Sequence, residues 1–449
     1  MTNDDDRTRG RSIPRGRISR LGQFGRLAGS VAGGMLAEGA RRLADGQRPQ
    51  LRDMLLTPGN VGRIADRLSH LRGAAMKLGQ IISMDAGDIL PPELTQIMAR
   101  LRDNAHHMPP AQLLKVLVQE WGPDWRKRFT HFDLSPVAAA SIGQVHRAVA
   151  RDGRVLAIKV QYPGVRDSID ADIDNVATLL KVSGALPRSL DIAPLLAEAK
   201  LQLAEEADYR REGEQMNLFG RLLADMPEVV VPTLDPDLTT SCILAMTWLD
   251  GRPIETLETA PQADRDAAMQ TLMRLVLREL FEFRVMQTDP NFANYRIQPA
   301  TGRLVLLDFG AARPVDAATS EGYRALLRAG MAGDRDAVRQ AALAADFLGQ
   351  GVVDHHAEGV DRMIDVILGE MNRPGLFDFG DRRFVAALRD QGMEIAADTR
   401  AWHLPPTGVL FAQRKISGTA LLAARLKARV DVRALVQPWL EDQPQPTVS

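Results

Sequence analysis

Cysteine is almost missing from this chain. Cys242 is the only one, so no internal disulfide can form, and such usage suits a reducing compartment. Charge of one sign is missing too. The 56 Lys and Arg against 57 Asp and Glu leave a net charge of −1, which removes any global case for nucleic-acid binding. Long hydrophobic runs are also absent. A spanning helix needs ~20 apolar residues, whereas the best stretch, Leu27 to Leu36, is bracketed by Arg26 and Glu38. It begins too late for a secretory signal, and no clear cleavage site follows it. No internal repeat is visible. The expectation is a soluble or peripherally attached cytoplasmic protein.

What is present is ordinary globular composition, 45% hydrophobic and 25% charged, enough for two or three packed units at roughly 100–200 residues each. Residues 1–20 combine many arginines with almost no large apolar side chain and read as a disordered basic tail. In 21–45, Gly25, Gly29 and Gly33 recur at every fourth position among Leu21, Phe24, Leu27, Val31 and Leu36. That pattern fits an amphipathic interfacial helix open to close backbone approach, or a flexible glycine-rich segment. Residues 46–125 read as a helical extension. Leu71, Ala74, Ala75, Leu78, Ile81 and Ile82 repeat at the helical period, with Lys77 and Gln80 projecting away from their stripe. From 126 to 250 the chain turns β-rich, with strands expected in "VLAIKV", "VVVPTL" and "CILAMTWL" and one long helical segment over about 190–224. From 251 to 449 it is mainly helical, apart from the short strand "RLVLLD".

Three features carry chemistry. Lys159 stands inside the apolar "LAIKV", where burial is costly unless an anion meets the ammonium. A nucleotide phosphate, shared with a helix carboxylate, is one such anion; a solvated edge-strand lysine is the alternative. In "MQTDPNFANY", Asp289 and Asn294 have the aspartate-to-asparagine spacing of a protein-kinase catalytic loop. "LVLLDFG" then ends a strand in Asp308-Phe309-Gly310, where an aspartate is placed to hold Mg²⁺ against phosphates. "SPVAAASIGQVHRA" precedes the Lys159 strand at the place where a phosphate-handling loop would be glycine-rich, yet it holds Gly143 alone. "MTWL", with Met246 and Leu249, reads as a connecting segment facing an adenine, or as a plain strand end. Adjacent histidines, His106-His107 and His355-His356, would point about 100° apart on a helix and suit exposed or capping roles rather than chelation.

Together these segments resemble the aarF-domain (ADCK/UbiB) family of atypical kinases, in its coenzyme Q branch. The resemblance rests on "RGAAMKLGQIISMD", "PVAAASIGQVHRA", "LAIKVQYPGV", "EEADYRREGEQ", "MQTDPNFANY", "LVLLDFGAAR" and "FAQRKISGTALL", spread from about residue 60 to 435. Several positions depart from the broader family. Gln287 stands where many members have a histidine, and Asn291-Phe292-Ala293 where many have histidine, proline and glycine.

The resemblance implies an α+β, protein-kinase-like bilobal fold, with an N-lobe over 126–250 and a C-lobe over 251–449. The N-terminal helical extension would carry the K-x-G-Q motif of Lys77 and Gln80 across the cleft. It implies an atypical kinase or ATPase using ATP and Mg²⁺ in support of ubiquinone biosynthesis, with a nucleotide-sensing scaffold as the alternative. Lys159 would hold nucleotide phosphates, Asp289 would be the catalytic-loop aspartate, and Asn294 and Asp308 would ligate Mg²⁺. Ala138, Ala139, Ala140 and Ser141 would form a modified phosphate loop, stiffer than glycine allows and able to turn helical at its end. Glu206 and Asp208 form the E-x-D motif, with Glu212 farther along. On one regular helix Asp208 and Glu212 share a face and Glu206 and Asp208 do not, so the three cannot all enter one site; Glu212 is the expected partner of Lys159, with Glu206 and Asp208 facing the K-x-G-Q helix. Arg414 and Lys415 are expected to stabilise the fold. Implied partners are ATP or ADP, a lipid or quinone precursor, the inner face of a membrane, and a second copy through the glycine-spaced helix.

Overall fold

The computed structural model describes residues 108–441, apart from 141, 184–192, 290, 382–387, 389–391, 393–394, 396–397, 399–402 and 404. The expected tail, glycine-spaced helix and extension as far as residue 107 lie outside the described residues. So do Lys77, Gln80, His106-His107 and Ser141. The described chain falls into two compact units. One runs to Glu214 and takes in Thr233–Trp248; the other comprises Gln215–Pro232 and the chain from Leu249 onward.

The first unit begins with helix α1 (Pro110–Trp121), whose Leu113, Val116, Leu117 and Trp121 recur at helical spacing and are buried. They pack on an antiparallel sheet of β1 (Phe129–Phe132), β2 (Ala138–Ala139), β3 (Gly143–Ala150) and β4 (Val155–Gln161). After β5 of the other unit (Val229–Val230), β6 (Ile243–Thr247) completes it in the order β1-β3-β4-β6, with β2 on β3. Aromatic rings fill the α1 side, with Trp121 5.4 Å from Phe129 and Trp125 5.1 Å from Phe132 between centroids. Burying each such side chain is worth about 1.5–3 kcal/mol. The β3–β4 turn passes through Asp152 and Gly153, whose φ of 86° a side chain would resist. β4 lies between β3 and β6, so six of its seven residues are buried, Lys159 among them.

Two expectations for this stretch change. Helix α2 (Val165–Ser183) falls in what read as β-rich sequence. Ile169, Ile173 and Ala177 are buried apolar residues on it, and their spacing of four is helical. The single helix expected over 190–224 is two, α3 (Ala193–Glu206) and α4 (Tyr209–Leu222). The break is made by Asp208. Its Oδ1 accepts hydrogen bonds from the amides of Arg210 (3.2 Å) and Arg211 (3.3 Å), capping α4.

In the second unit the order β5-β10-β9-β7 forms a sheet from β5, β7 (Arg252–Pro253), β9 (Tyr295–Ile297) and β10 (Leu304–Leu306). Of the "VVVPTL" strand expected in the smaller lobe, Val229–Val230 pairs in parallel with Leu304 and Val305 of this unit, while Leu234 forms an isolated antiparallel bridge with Met246 of β6. Pro232 has no amide to continue the ladder. Helix α5 (Gln262–Arg278) ends in a wide π turn, Glu279–Phe283, and Arg284 at φ 55° turns the chain into β8 (Val285–Gln287). β8 pairs with β11 (Ala312–Pro314). Helices α6 (Ala317–Ala332), α7 (Arg335–Ala344) and α8 (Gln350–Met371) follow. Strand β12 (Phe377–Asp378), α9 (Thr407–Leu426), β13 (Arg429–Val430) and α10 (Val432–Val436) close the chain. The described segment from residue 251 thus holds several short strands besides the one expected. Among the described residues no helix is long and apolar enough to cross a membrane.

Candidate active site

In the first unit the site is built around Lys159. Its Nζ lies 2.9 Å from both carboxylate oxygens of Glu212, in the first turn of α4, and both residues are buried. The ammonium also stands 5.0 Å from the centre of the Tyr209 ring. Of the carboxylates weighed for Lys159, Glu212 lies within hydrogen-bond distance of it. Asp208 is spent on the helix cap, and Glu206 ends α3, so the three acidic residues do not share one helical face.

Ala138 and Ala139 of the small-residue stretch form a strand. Ala138 and Ala139 pair with Val145 and Gln144, and the amides of Val137 and Ala140 donate to the Val145 and Gly143 carbonyls at 2.8 and 2.9 Å. Strand pairing across β3 thus overrides the helical preference of alanine. Gly143 opens β3 at a close approach: a Cβ there would sit 2.5 Å from the Val160 carbonyl oxygen and 2.7 Å from the Tyr209 hydroxyl. Met246 is buried in β6 opposite Ala157, and Leu249 opens the longer segment of the second unit.

In the second unit Asp289 and Asn294 meet. Asn294 Nδ2 donates to Asp289 Oδ2 at 3.3 Å across a short turn that Asn291 caps by accepting from the Ala293 amide. Backbone bonds tie this turn to the strand that follows. The Leu307 amide donates to the Asn294 carbonyl at 3.1 Å, and the Thr288 amide and hydroxyl both donate to the Ala311 carbonyl. Asp308 accepts from the Gly310 amide at 3.0 Å, and the buried Phe309 ring packs 5.4 Å from Phe219. Mg²⁺ commonly takes only one or two carboxylates beside substrate phosphates and waters. The half-buried oxygens of Asp308 and Asn294, on segments hydrogen-bonded to each other, fit that donor set.

Among the described residues no group of three or more His, Cys, Asp or Glu could hold a metal ion. His355 bonds to the Gly351 carbonyl, and His356 stands 3.2 Å from Asp398. Sequence reasoning missed a cluster beside the catalytic-loop segment, in which Lys415 on α9 contacts Tyr295, Gln287 and Glu279. The "RK" of "FAQRKISGTALL" was its only signal. Burial pushes the Glu279 carboxyl and the Tyr295 hydroxyl upward. The same burial pulls on the Lys415 ammonium, but Glu279 and Tyr295 outweigh it and hold that group above its ordinary value.

Residues 100–342 match the ABC1 atypical kinase-like domain. The chain belongs to this family. It is 36% identical to the mitochondrial atypical kinase COQ8 of Saccharomyces cerevisiae, over 95% of this chain and 85% of that protein. With the mitochondrial atypical kinase COQ8B of Rattus norvegicus it shares 39% identity over 96% of this chain and 82% of that one. A solved complex of Rv3197 with erythromycin, from Mycobacterium tuberculosis, covers 84% of this chain and 95% of its own, with a TM-score of 0.60 at 24% identity, a likeness of fold. The ABC1 membership places the protein among atypical kinases, enzymes of the phosphotransferase class, with a kinase-like mixture of helix and sheet.

Proposed function

We propose that this ABC1-family protein binds Mg-ATP and acts as an atypical kinase or ATPase in support of ubiquinone (coenzyme Q) biosynthesis. It acts on or near a small lipid-like substrate or a biosynthetic complex and not as a protein kinase. The observation that carries this reading is the Asp289–Asn294 contact, tied by backbone hydrogen bonds to the Asp308 segment. The atypical kinases COQ8 and COQ8B, related over most of the chain, support the pathway assignment.

In this reading Lys159, held by Glu212, takes the nucleotide phosphates, while Asn294 and Asp308 hold Mg²⁺. The bound cation offsets the charge of the phosphate oxygens. Asp289 orients the acceptor hydroxyl, or a water, and receives its proton. Such chemistry rests on placement and electrostatics more than on covalent steps. Ala138, Ala139 and Ala140 border the phosphates with small side chains, Met246 and Leu249 flank the adenine, and Lys77 and Gln80 with Glu206 restrict the acceptor. The glycine-spaced segment 21–45 attaches the protein to the inner face of the membrane and pairs it with a second copy.

One liposome experiment tests both parts. ATP consumption should be measurable, should rise with lipid, and should vanish in the nearly isosteric Asp308→Asn; removing residues 1–45 should weaken co-sedimentation. A wild-type protein that binds ATP without consuming it would replace this reading with a nucleotide-sensing scaffold. Unchanged sedimentation would exclude the segment as the anchor.

A further inference from the structure

Lys415 takes no part in the site just described, yet it is 1% exposed, the side chain of a cation enclosed in the second unit. Its Nζ stands 2.7 Å from the Tyr295 hydroxyl, 3.3 Å from Gln287 Oε1 and 3.6 Å from Glu279 Oε2. Glu279 is fully buried as the first residue of the π turn, and its Oε1 accepts from the Gln287 amide at 3.4 Å. The contacted residues have a pattern. Gln287 ends β8, two positions before Asp289, and Tyr295 opens β9, directly after Asn294. One ammonium therefore holds both ends of the segment that carries the aspartate and the asparagine. The Gln287 side chain depends on it, because its buried Nε2 has no acceptor among the described residues.

A buried lysine–glutamate pair is a poor device for stability alone. Desolvating two charges offsets most of their attraction, and apolar replacement of both is often neutral. What such a pair supplies here is position. Lys415 fixes Gln287 and Tyr295 relative to one another, and the segment between them closes on itself through the Asn294–Asp289 hydrogen bond. Pre-organised geometry of this kind is what phosphoryl transfer depends on.

We propose that Lys415, braced by Glu279, is a positioning residue that clamps the two ends of the Gln287–Tyr295 segment and so sets the geometry of Asp289 and Asn294. The proposal rests on the catalytic and metal-holding roles given above to those two residues.

The test uses the full chain. Lys415→Met with Glu279→Gln removes both charges together, leaving neither buried without its partner. Tyr295→Phe removes one hydroxyl and keeps the fold testable should the double variant not fold. In the double variant the melting temperature and the KM for ATP should stay near wild type, while kcat falls about tenfold or more. Amide hydrogen exchange across residues 287–295 should quicken by a similar factor, with protection elsewhere unchanged. Tyr295→Phe should fall between the two in both readouts.

Unchanged kcat together with unchanged exchange would overturn the clamp. A fall in kcat matched by a general loss of protection and of melting temperature would make Lys415 merely structural, and would overturn it equally. If the wild-type protein consumes no ATP, the kinase reading fails. Exchange then decides the clamp by itself: equal protection of 287–295 in wild type and variants overturns it, and faster exchange confined to that segment upholds it.

Discussion

A single methyl group at Gly143 would have nowhere to go. Its Cβ would enter the space of the Val160 carbonyl oxygen and the Tyr209 hydroxyl, and a backbone atom cannot swing aside as a flexible side chain can. Gly143→Ala should therefore push β3 from β4 and cost about 1–3 kcal/mol, the usual range for overpacking. The midpoint of urea unfolding would show it, and a midpoint equal to wild type would refute the close approach. The same glycine was visible in the sequence but read for phosphate access; the contact that requires it lies across the sheet and becomes visible only with the fold. Lys159 shows the opposite case. A lone charge in an apolar strand announces a buried partner. Which carboxylate answered it depended on a helix break that the spacing rule had assumed away.

That break is an event at the scale of the element. Glu206, Asp208 and Glu212 look like positions on one helix because nothing between them is glycine or proline. Asp208 nevertheless ends one helix and starts the next through the preference of a short carboxylate for capping free amides. Helix α2 was missed for a related reason: its β-branched isoleucines suggest strand, and their spacing of four decides for helix. The strand end carrying Asp308 was legible, since a short apolar run followed by an acidic turn leaves few alternatives, whereas the short strand Val285–Gln287 before Asp289 was not. Capping also yields a measurable expectation at α6. Asp316 Oδ1 accepts from the Thr319 amide at 2.7 Å, and this bond holds the exposed carboxyl below its ordinary value. A depressed carboxylate contributes stability that is complete above the unfolded value of 3.8 and is lost as pH falls through the lower folded value. Asp316→Ala should cost about 1 kcal/mol at pH 7. The gap between variant and wild type should close on acidification below pH 3.8. Thermal melts across pH would reveal it, and a gap that widens in acid would contradict the cap.

At the scale of the whole molecule, the two units are threaded through one another in sequence. The chain passes between them at Glu214–Gln215, again at Pro232–Thr233 and a third time at Trp248–Leu249. A change from β-rich to helical sequence near residue 250 was readable. The excursion of Gln215–Pro232 was not, because the pairing of Val229–Val230 with Leu304–Val305 joins segments far apart in sequence. A fragment of residues 108–248 would carry Val229–Val230 without its strand partner and Phe219 without Phe309. It should aggregate where the full chain stays soluble, as sedimentation would show; a monomeric, cooperatively folding fragment would contradict this.

The threading also bears on heredity. A gene encoding such a chain has no single cut that separates one unit from the other, so fusion or recombination at one junction cannot exchange a whole unit between relatives. A chimera that respects both units needs three junctions moved together.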